Sequence, residues 1–600
     1  MSEEPPLLIG EVGRRGLEIP LAAFRDRVGG APALKKILGA LSVTETVHPG
    51  RPRGMARTVH RAYALERDTL LVPRGKGPPL LRARGPAGRP LLDGARPAPA
   101  QLADGRPNPN APLPPARRIA PARLAPEEPL YEYQEAAIEH LCGAAGPFGE
   151  AAGPCGGVAY LQMDTGLGKT RVGCGVVARR GEAALVVVPT DAIAHQWVDE
   201  FAEIYPGMQV AVYHNAPAKG ARRAPPGPQT HDVVLIIINT FRAKGPEFLE
   251  GFGTVILDEA HEYHSTHNGR ALWLSQTRAV LGLSATPEER PDGLDRYVPL
   301  HLGAVIAPKT IPGFDVNAVC FRGAVRVIEY AGHPDHCETV TTPAGTMSAI
   351  LTIGGVIRDP ARLRLVAAEV ERLYRLHETA DPAELSRLGL GPRPAAAATP
   401  AHPAGEVRRH GVFVFAEHRE YLPALRAALR ERLRPADILA PELDRVSILR
   451  GGVAKTAVGA ARRAGAHVVL TTYGFSRRGI SLPDMTCIVE ATPRRNGLRQ
   501  ILGRILRRGS DESIVRQVVD IVDTRTGLRG QVADRRKVYL EKQYPIARAT
   551  ASWEDFGNGA AGAAAGAAVS ANDAPAEEEF ADMSMDDLLA AALGDPAGPQ

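Results

Sequence analysis

Residues 158–170, ValAlaTyrLeuGlnMetAspThrGlyLeuGlyLysThr, run an apolar strand-like stretch straight into a glycine-rich loop that ends in lysine and threonine. A helical-looking stretch follows, so the segment has the strand, loop, helix order that a phosphate-binding loop needs. The glycines let backbone N–H groups curl around a β-phosphate, and the helix N-terminus adds partial positive charge. In that reading Lys169 reaches the β- and γ-phosphates and the Thr170 hydroxyl ligates Mg²⁺. The loose pattern GxxxxGK[ST] is not met, because its first position is Met163.

A second string carries complementary chemistry. ThrValIleLeu at 254–257 reads as a buried strand and ends in AspGluAlaHis, placing two carboxylates at the carboxyl edge of a sheet, where α/β proteins bind ligands. Asp258 is suited to hold the Mg²⁺ shell and Glu259 to polarise an attacking water. Together the two strings predict an ATP-driven enzyme with ATP and Mg²⁺ as its cofactors.

The chain has 600 residues, 44% of them hydrophobic, enough for roughly two to four domains with sizeable cores. Its six cysteines show no CxxC spacing, and there is no signal peptide or apolar run of about 18 residues, so a soluble, reducing compartment and no membrane partner are expected. The net charge of +5 conceals an asymmetry: residues 549–600 hold ten acidic residues and no Lys or Arg, leaving the remainder more basic by the same ten charges. A basic body suits a polyanionic partner. Arg outnumbers Lys by 62 to 10, however, and a GC-rich coding sequence explains much of that, so charge only supports the reading.

The expected class is α/β, with two tandem parallel sheets flanked by helices. Residues 1–83 read as a small α+β module, with a helix at 33–41 and strand-like pieces at 61–66 and 69–73. Proline and glycine dominate 84–127, a linker composition. A first α/β domain is expected over 128–305, with strands at 184–188, 233–238, 254–257 and 279–283. Residues 306–410 read as a connector with a low-complexity insert at 391–400. A second domain over 411–548 has strands at 412–415, 467–470, 487–490 and 518–522. An acidic tail at 549–600 is predicted to be disordered, with a partner-folding helix at 577–589 as the lesser alternative to a solubilising role.

Further strings fall in a fixed order. LeuTyrGluTyrGlnGlu (130–135) offers the Gln134 amide to an adenine; ValValValProThrAsp (186–191), IleIleAsnThrPhe (237–241) and LeuGlyLeuSerAlaThrPro (281–287) follow the loop; ThrThrTyrGlyPheSerArgArgGlyIleSer (471–481) and GlnIleLeuGlyArgIleLeuArgArg (500–508) close the series. This set resembles the superfamily 2 helicases of the DEAH type over residues 128–545, which implies two RecA-like domains. The resemblance implies that Thr165, Gly166, Leu167, Gly168, Lys169, Thr170, Arg171, Gln134 and Gly479 border the nucleotide. It implies that Pro189, Thr190, Thr240 and Thr472 touch the nucleic-acid backbone, and that His261, Ser284 and Thr286 couple hydrolysis to movement. Gln500, Arg504 and Arg507 match QxxGRxxR, whose arginines approach the γ-phosphate; arginines supplied by the second domain tie hydrolysis to closure. Ser481 departs from the pattern where many relatives carry an acidic residue toward the ribose.

Residues 34–44, 344–363 and 520–540 are similar to segments of helicases from large nucleocytoplasmic DNA viruses, the group that includes the poxvirus transcript-release helicase. That likeness implies work in viral transcription, replication or repair, in the host cytoplasm or nucleus or in the virion, with transcription or replication machinery as partners of the N-terminal module or tail. DNA is favoured over RNA. The alternatives are a duplex DNA translocase that does not separate strands, an RNA helicase, and a scaffold with a dead motor.

Overall fold

The computed structural model describes residues 8–44, 59–97, 116–149, 157–214, 225–315, 321–375, 411–433, 446–450, 468–476, 482, 485–506 and 515–556, with short interruptions. The main division into two compact units falls between Val316 and Asn317. Gly479, Ser481, Arg507, the 391–400 insert and the 577–589 segment lie outside the described residues.

The first unit begins with a five-stranded sheet in the order β5 (Ala64–Glu66), β6 (Thr69–Val72), β2 (Gly16–Pro20), β1 (Ile9–Gly13), β7 (Gly94–Pro97), beside the pair β3 (Ser42–Thr44) and β4 (Val59–Arg61). On β2, Leu17 and Ile19 alternate onto one buried face with Leu70 and Val72 of β6, the period of a half-buried strand. The expected helix appears at Ala31–Ala40. The sequence reading ended this module at residue 83, but β7 pairs in parallel with β1, and Asp93 accepts from the Leu8 N–H at 2.6 Å and pairs with Arg27 at 2.9 Å. Part of the expected linker is therefore sheet. Residues 117–125 also have tertiary contacts: Arg117 pairs with Asp232 at 2.6 Å, and the N–H of Ala125 donates to the Ile204 carbonyl at 2.9 Å.

The unit's larger sheet has seven strands in the order β10 (Val210–Val212), β11 (Val233–Ile237), β9 (Ala184–Val188), β12 (Thr254–Leu257), β13 (Ala279–Ser284), β8 (Val158–Gln162), β14 (Val305–Ile306), all parallel. Its central strands are apolar without alternation, as burial on both faces requires; AlaLeuValValVal of β9 is wholly buried. Because every strand runs the same way, the loops after β8, β9, β11, β12 and β13 emerge on one edge.

The second unit repeats the plan: β17 (Val446–Leu449), β18 (Val468–Thr472), β16 (Gly411–Ala416), β19 (Met485–Glu490), β20 (Arg516–Asp523), β15 (Gly323–Ala331), β21 (Ile546–Ser552), again all parallel. These are the two tandem RecA-like domains expected. The expected connector and tail, however, each contribute a strand to this sheet, since β15 lies between β20 and β21. Three arginines are buried among the described residues of this unit: Arg516, whose Nε donates to the Ile505 carbonyl at 2.6 Å, and two that pair with carboxylates. Arg362 forks onto Asp523 at 2.7 and 3.0 Å, and Arg535 forks onto Asp520 at 2.8 and 2.7 Å. No described helix is long and apolar enough to cross a membrane.

Candidate nucleotide site and its coupling residues

The glycine-rich loop follows β8 directly. The Met163 N–H donates to the Ser284 carbonyl at 2.9 Å, so the irregular first position of the loop is a buried extension of the ladder between β8 and β13. Leu167 N–H closes a turn on the Asp164 carbonyl at 3.2 Å, and the helix Lys169–Arg180 begins after Gly168. Gly168 has φ 77°, a left-handed conformation, and a Cβ there would strike Gln134 Nε2. Lys169 and Thr170 thus occupy the first positions of a helix whose free N–H groups face the loop, an arrangement suited to a phosphate.

Gln134 is buried beside this loop. Its Oε1 accepts from the Tyr131 N–H at 3.1 Å, and its Nε2 lies 3.5 Å from Tyr133 Oη. Arg171, expected to border the nucleotide, is instead held by carboxylates. Its guanidinium pairs with Glu200 at 2.6 Å and Glu128 at 2.7 Å, which ties the helix Lys169–Arg180 to the helix Asp191–Ile204. The reason is helical periodicity: a residue two after Lys169 points away from the face that Lys169 presents.

Asp258 and Glu259 leave the end of β12. Asp258 is buried and both its oxygens are occupied: Trp197 Nε1 donates to Oδ2 at 2.7 Å and the Glu259 N–H donates to Oδ1 at 2.9 Å. Burial, and then the neighbouring Glu259 charge, push the Asp258 carboxyl up to about 6, while the Trp197 bond and the charge of Lys169 oppose that rise. A carboxylate so poorly solvated, close enough to feel Lys169 and with acceptor capacity remaining on each oxygen, fits a divalent cation. Glu259 adopts φ 47°, left-handed backbone rarely used outside glycine, and its buried Oε2 makes no hydrogen bond, the imidazole of His261 lying nearby. Strain and a buried acceptor without a hydrogen bond at one residue characterise functional positions.

A chain of polar contacts leads on from this carboxylate. His261 Nδ1 lies 3.4 Å from Glu259 Oε2 and 3.0 Å from Ser284 Oγ, and Ser284 Oγ accepts from the Thr286 N–H at 3.1 Å. The residues expected to couple hydrolysis to movement are therefore physically joined to Glu259, through the adjacency of β12 and β13.

Trp197 was missed by the sequence reading. It lies on the helix Asp191–Ile204, which buries Ala194, Trp197, Phe201 and Ile204 at helical spacing, so its aromatic character reads as core. Only the pairing of β9 with β12 brings its N–H to Asp258, and Gly173 admits its ring, since a Cβ there would collide with it. Trp197→Phe should raise the Mg²⁺ concentration needed for half-maximal ATPase activity several-fold, because the carboxylate loses a charge-assisted donor and holds its proton to higher pH; a Mg²⁺ titration at pH 6 and 8 checks this, with the larger effect expected at pH 6.

The expected strand-contact residues are divided. Pro189, Thr190 and Thr240 are half-buried after β9 and β11 on the same edge as the loop. Thr190 also caps the helix Asp191–Ile204, its Oγ1 accepting from the Ile193 N–H at 3.4 Å. In the second unit Thr472 is buried, accepting from the Phe475 N–H at 3.4 Å. Gln500 and Arg504 lie half-buried in and just after the helix Leu498–Leu502.

Residues 127–289 match the family described as type III restriction enzyme, res subunit. A protein of African swine fever virus named provisionally as an ATP-dependent RNA helicase, QP509L, is 37% identical over 86% of this chain and 88% of its own length. A protein of invertebrate iridescent virus 3 named provisionally as helicase 109L is 31% identical over 22% of this chain and 40% of its own. The DNA 3'-5' translocase XPB2 of Sulfurisphaera tokodaii is 27% identical over 25% of this chain and 32% of its own. Among solved structures, S. cerevisiae Dbp5 bound to RNA and ADP BeF3 matches with a TM-score of 0.43 at 13% identity, covering 72% of this chain and 95% of that one. With a relative this similar along nearly the whole of both chains, and with the ordered ATPase strings on two parallel sheets, the chain belongs to the superfamily 2 family of ATP-dependent helicases.

Proposed function

We propose that this helicase hydrolyses ATP to move along DNA, with Lys169 and the loop residues 165–170 holding the phosphates, Thr170 and Asp258 holding Mg²⁺, and Glu259 orienting the attacking water. The observation that carries the reading is Glu259: its backbone is strained, its buried Oε2 makes no hydrogen bond, and that oxygen lies 3.4 Å from His261, which reaches Ser284 and through it Thr286. Mg²⁺, when bound, neutralises phosphate charge. Asp258 supplies a carboxylate for it that Trp197 keeps oriented. Glu259 offers Oε2 to a water proton, and His261 can report the state of that carboxylate to the segment beyond β13. Gln134 is assigned to the adenine, Gly479 to the nucleotide border, and Gln500, Arg504 and Arg507 to the γ-phosphate; Pro189, Thr190, Thr240 and Thr472 are assigned to the strand.

DNA as the track, a DEAH-type mechanism and a role in viral transcript release, replication or repair belong to this proposal. RNA is the second reading, favoured by the name of the African swine fever virus relative. ATPase activity measured side by side with single-stranded DNA, duplex DNA and RNA separates them. Stimulation several-fold greater by single-stranded DNA is expected. Stimulation by RNA alone overturns the DNA assignment, and stimulation by duplex alone supports translocation without strand separation.

A further inference from the structure

Where the N-terminal module meets the first ATPase sheet, a cavity of about 360 Å³ opens to solvent, lined by Arg61, Tyr63, Ala64, Glu66, Leu71 and Trp273. Five of these come from the stretch between β4 and β6, and Trp273 comes from the helix Arg270–Leu274, which lies on the connection between Asp258 and Ser284. The site has a buried apolar floor in Leu71, two half-buried aromatic rings, and an exposed guanidinium and carboxylate at its rim.

The Trp273 ring is braced from behind. It meets His301 edge-on at 5.0 Å and 87°, His301 meets Tyr297 at 5.0 Å, and Tyr297 meets His60 of β4 at 5.7 Å. Burial, with the nearby Lys76 charge, keeps His301 neutral, so this support is an uncharged row of edge-on ring contacts between β4 of the module and the helix Tyr297–Leu302. The indole is therefore half-exposed yet fixed, which lowers the entropy lost when a flat ligand stacks on it. On the other wall, β5 is the edge strand of its sheet.

The geometry points to a binding pocket for one unpaired base of a single-stranded nucleic acid, stacked against Tyr63 and Trp273, with Arg61 toward the adjoining phosphate and Glu66 toward the base edge. The inference rests on the nucleic-acid reading above and deepens it. Aromatic faces accept any base, a carboxylate accepts N–H donors of a base edge, and an arginine matches phosphate, so the set has the three chemistries of a nucleotide unit in a volume near the lower limit of ligand pockets. Occupancy would reach the ATPase motifs through Trp273, which shares one connection with Glu259 and Ser284.

The test measures binding of the full chain to a labelled oligothymidylate, to the same strand carrying abasic sites throughout, and to a blunt duplex of equal length, with parent, Tyr63→Ala and Tyr63→Phe. Tyr63→Ala should weaken oligothymidylate binding roughly tenfold and Tyr63→Phe restore it, because the ring face and not the hydroxyl is used. On the abasic strand Tyr63→Ala should match the parent, since no base remains to stack. An equal loss on both strands, which a merely structural role produces, overturns the pocket, and so does unchanged oligothymidylate binding. An effect confined to the duplex overturns it in favour of a backbone contact. A parent that binds no nucleic acid removes the underlying reading together with the pocket.

Discussion

Glu259→Gln is expected to bind ATP as tightly as the parent and to turn it over roughly a hundred- to ten-thousand-fold more slowly. The substitution keeps the shape of the side chain and removes only its ability to accept a proton. In the proposed reading the phosphate grip belongs to other residues: the helix start at Lys169, the left-handed Gly168, and Asp258 with its Trp197 bond. The left-handed backbone at Glu259 is retained by either residue, so folding is little disturbed. Nucleotide binding followed by fluorescence, beside single-turnover hydrolysis, separates grip from chemistry. Parent-like turnover in the variant would remove Glu259 from the mechanism and leave the carboxylate as a conformational anchor for His261.

Arg535→Ala is expected to cost about 3–5 kcal/mol in the stability of the second unit, read as a lower unfolding midpoint in urea, because it strands buried charge. Arg535 is buried with Asp520 at 2.7 Å and Glu490 at 3.6 Å, and it also donates to the Arg494 carbonyl at 3.1 Å. Tyr539 Oη stands 3.0 Å from Glu490 and 3.1 Å from Asp520, sharing the same carboxylates. One cation faces two carboxylates, so burial first and the Asp520 charge second raise the Glu490 carboxyl from its ordinary 4.5 to about 8. The folded state then keeps a proton that the unfolded state has released. Stability contributed by this group therefore declines as pH rises from 4.5 toward about 8, and the penalty is complete above that. Glu490→Gln should flatten this slope, and a slope unchanged by the substitution would assign the proton elsewhere.

Much of the candidate nucleotide site was legible before any tertiary structure, because its groups are carried on short contiguous loops that follow apolar strands. GlyLeuGlyLysThr and AspGluAlaHis each hold their chemistry within a few residues, and parallel strands deliver both to one edge. What escaped was set by long-range pairing. β21 reads IleAlaArgAlaThrAlaSer, too polar to announce a strand, and it exists because β15 offers it a ladder. β7 arises in a proline- and glycine-rich stretch for the same reason, through its pairing with β1. Arg171 was placed beside the nucleotide by the resemblance, whereas the helix turns it toward Glu128 and Glu200.

The sequence by itself determined that two α/β domains follow one another, and it supplied the residues proposed to grip phosphate, hold Mg²⁺ and activate water. Local order suffices there, since a strand, a glycine turn and a helix N-terminus are made within a few residues of each other. Only the tertiary structure decided how those groups are supported. The Trp197 bond to Asp258, the path from Glu259 through His261 to Ser284, and the bracing of Trp273 by His301 each require strands or helices distant in sequence to lie side by side. Burial then gives those contacts their strength, because a hydrogen bond or charge withdrawn from water has no competing partner.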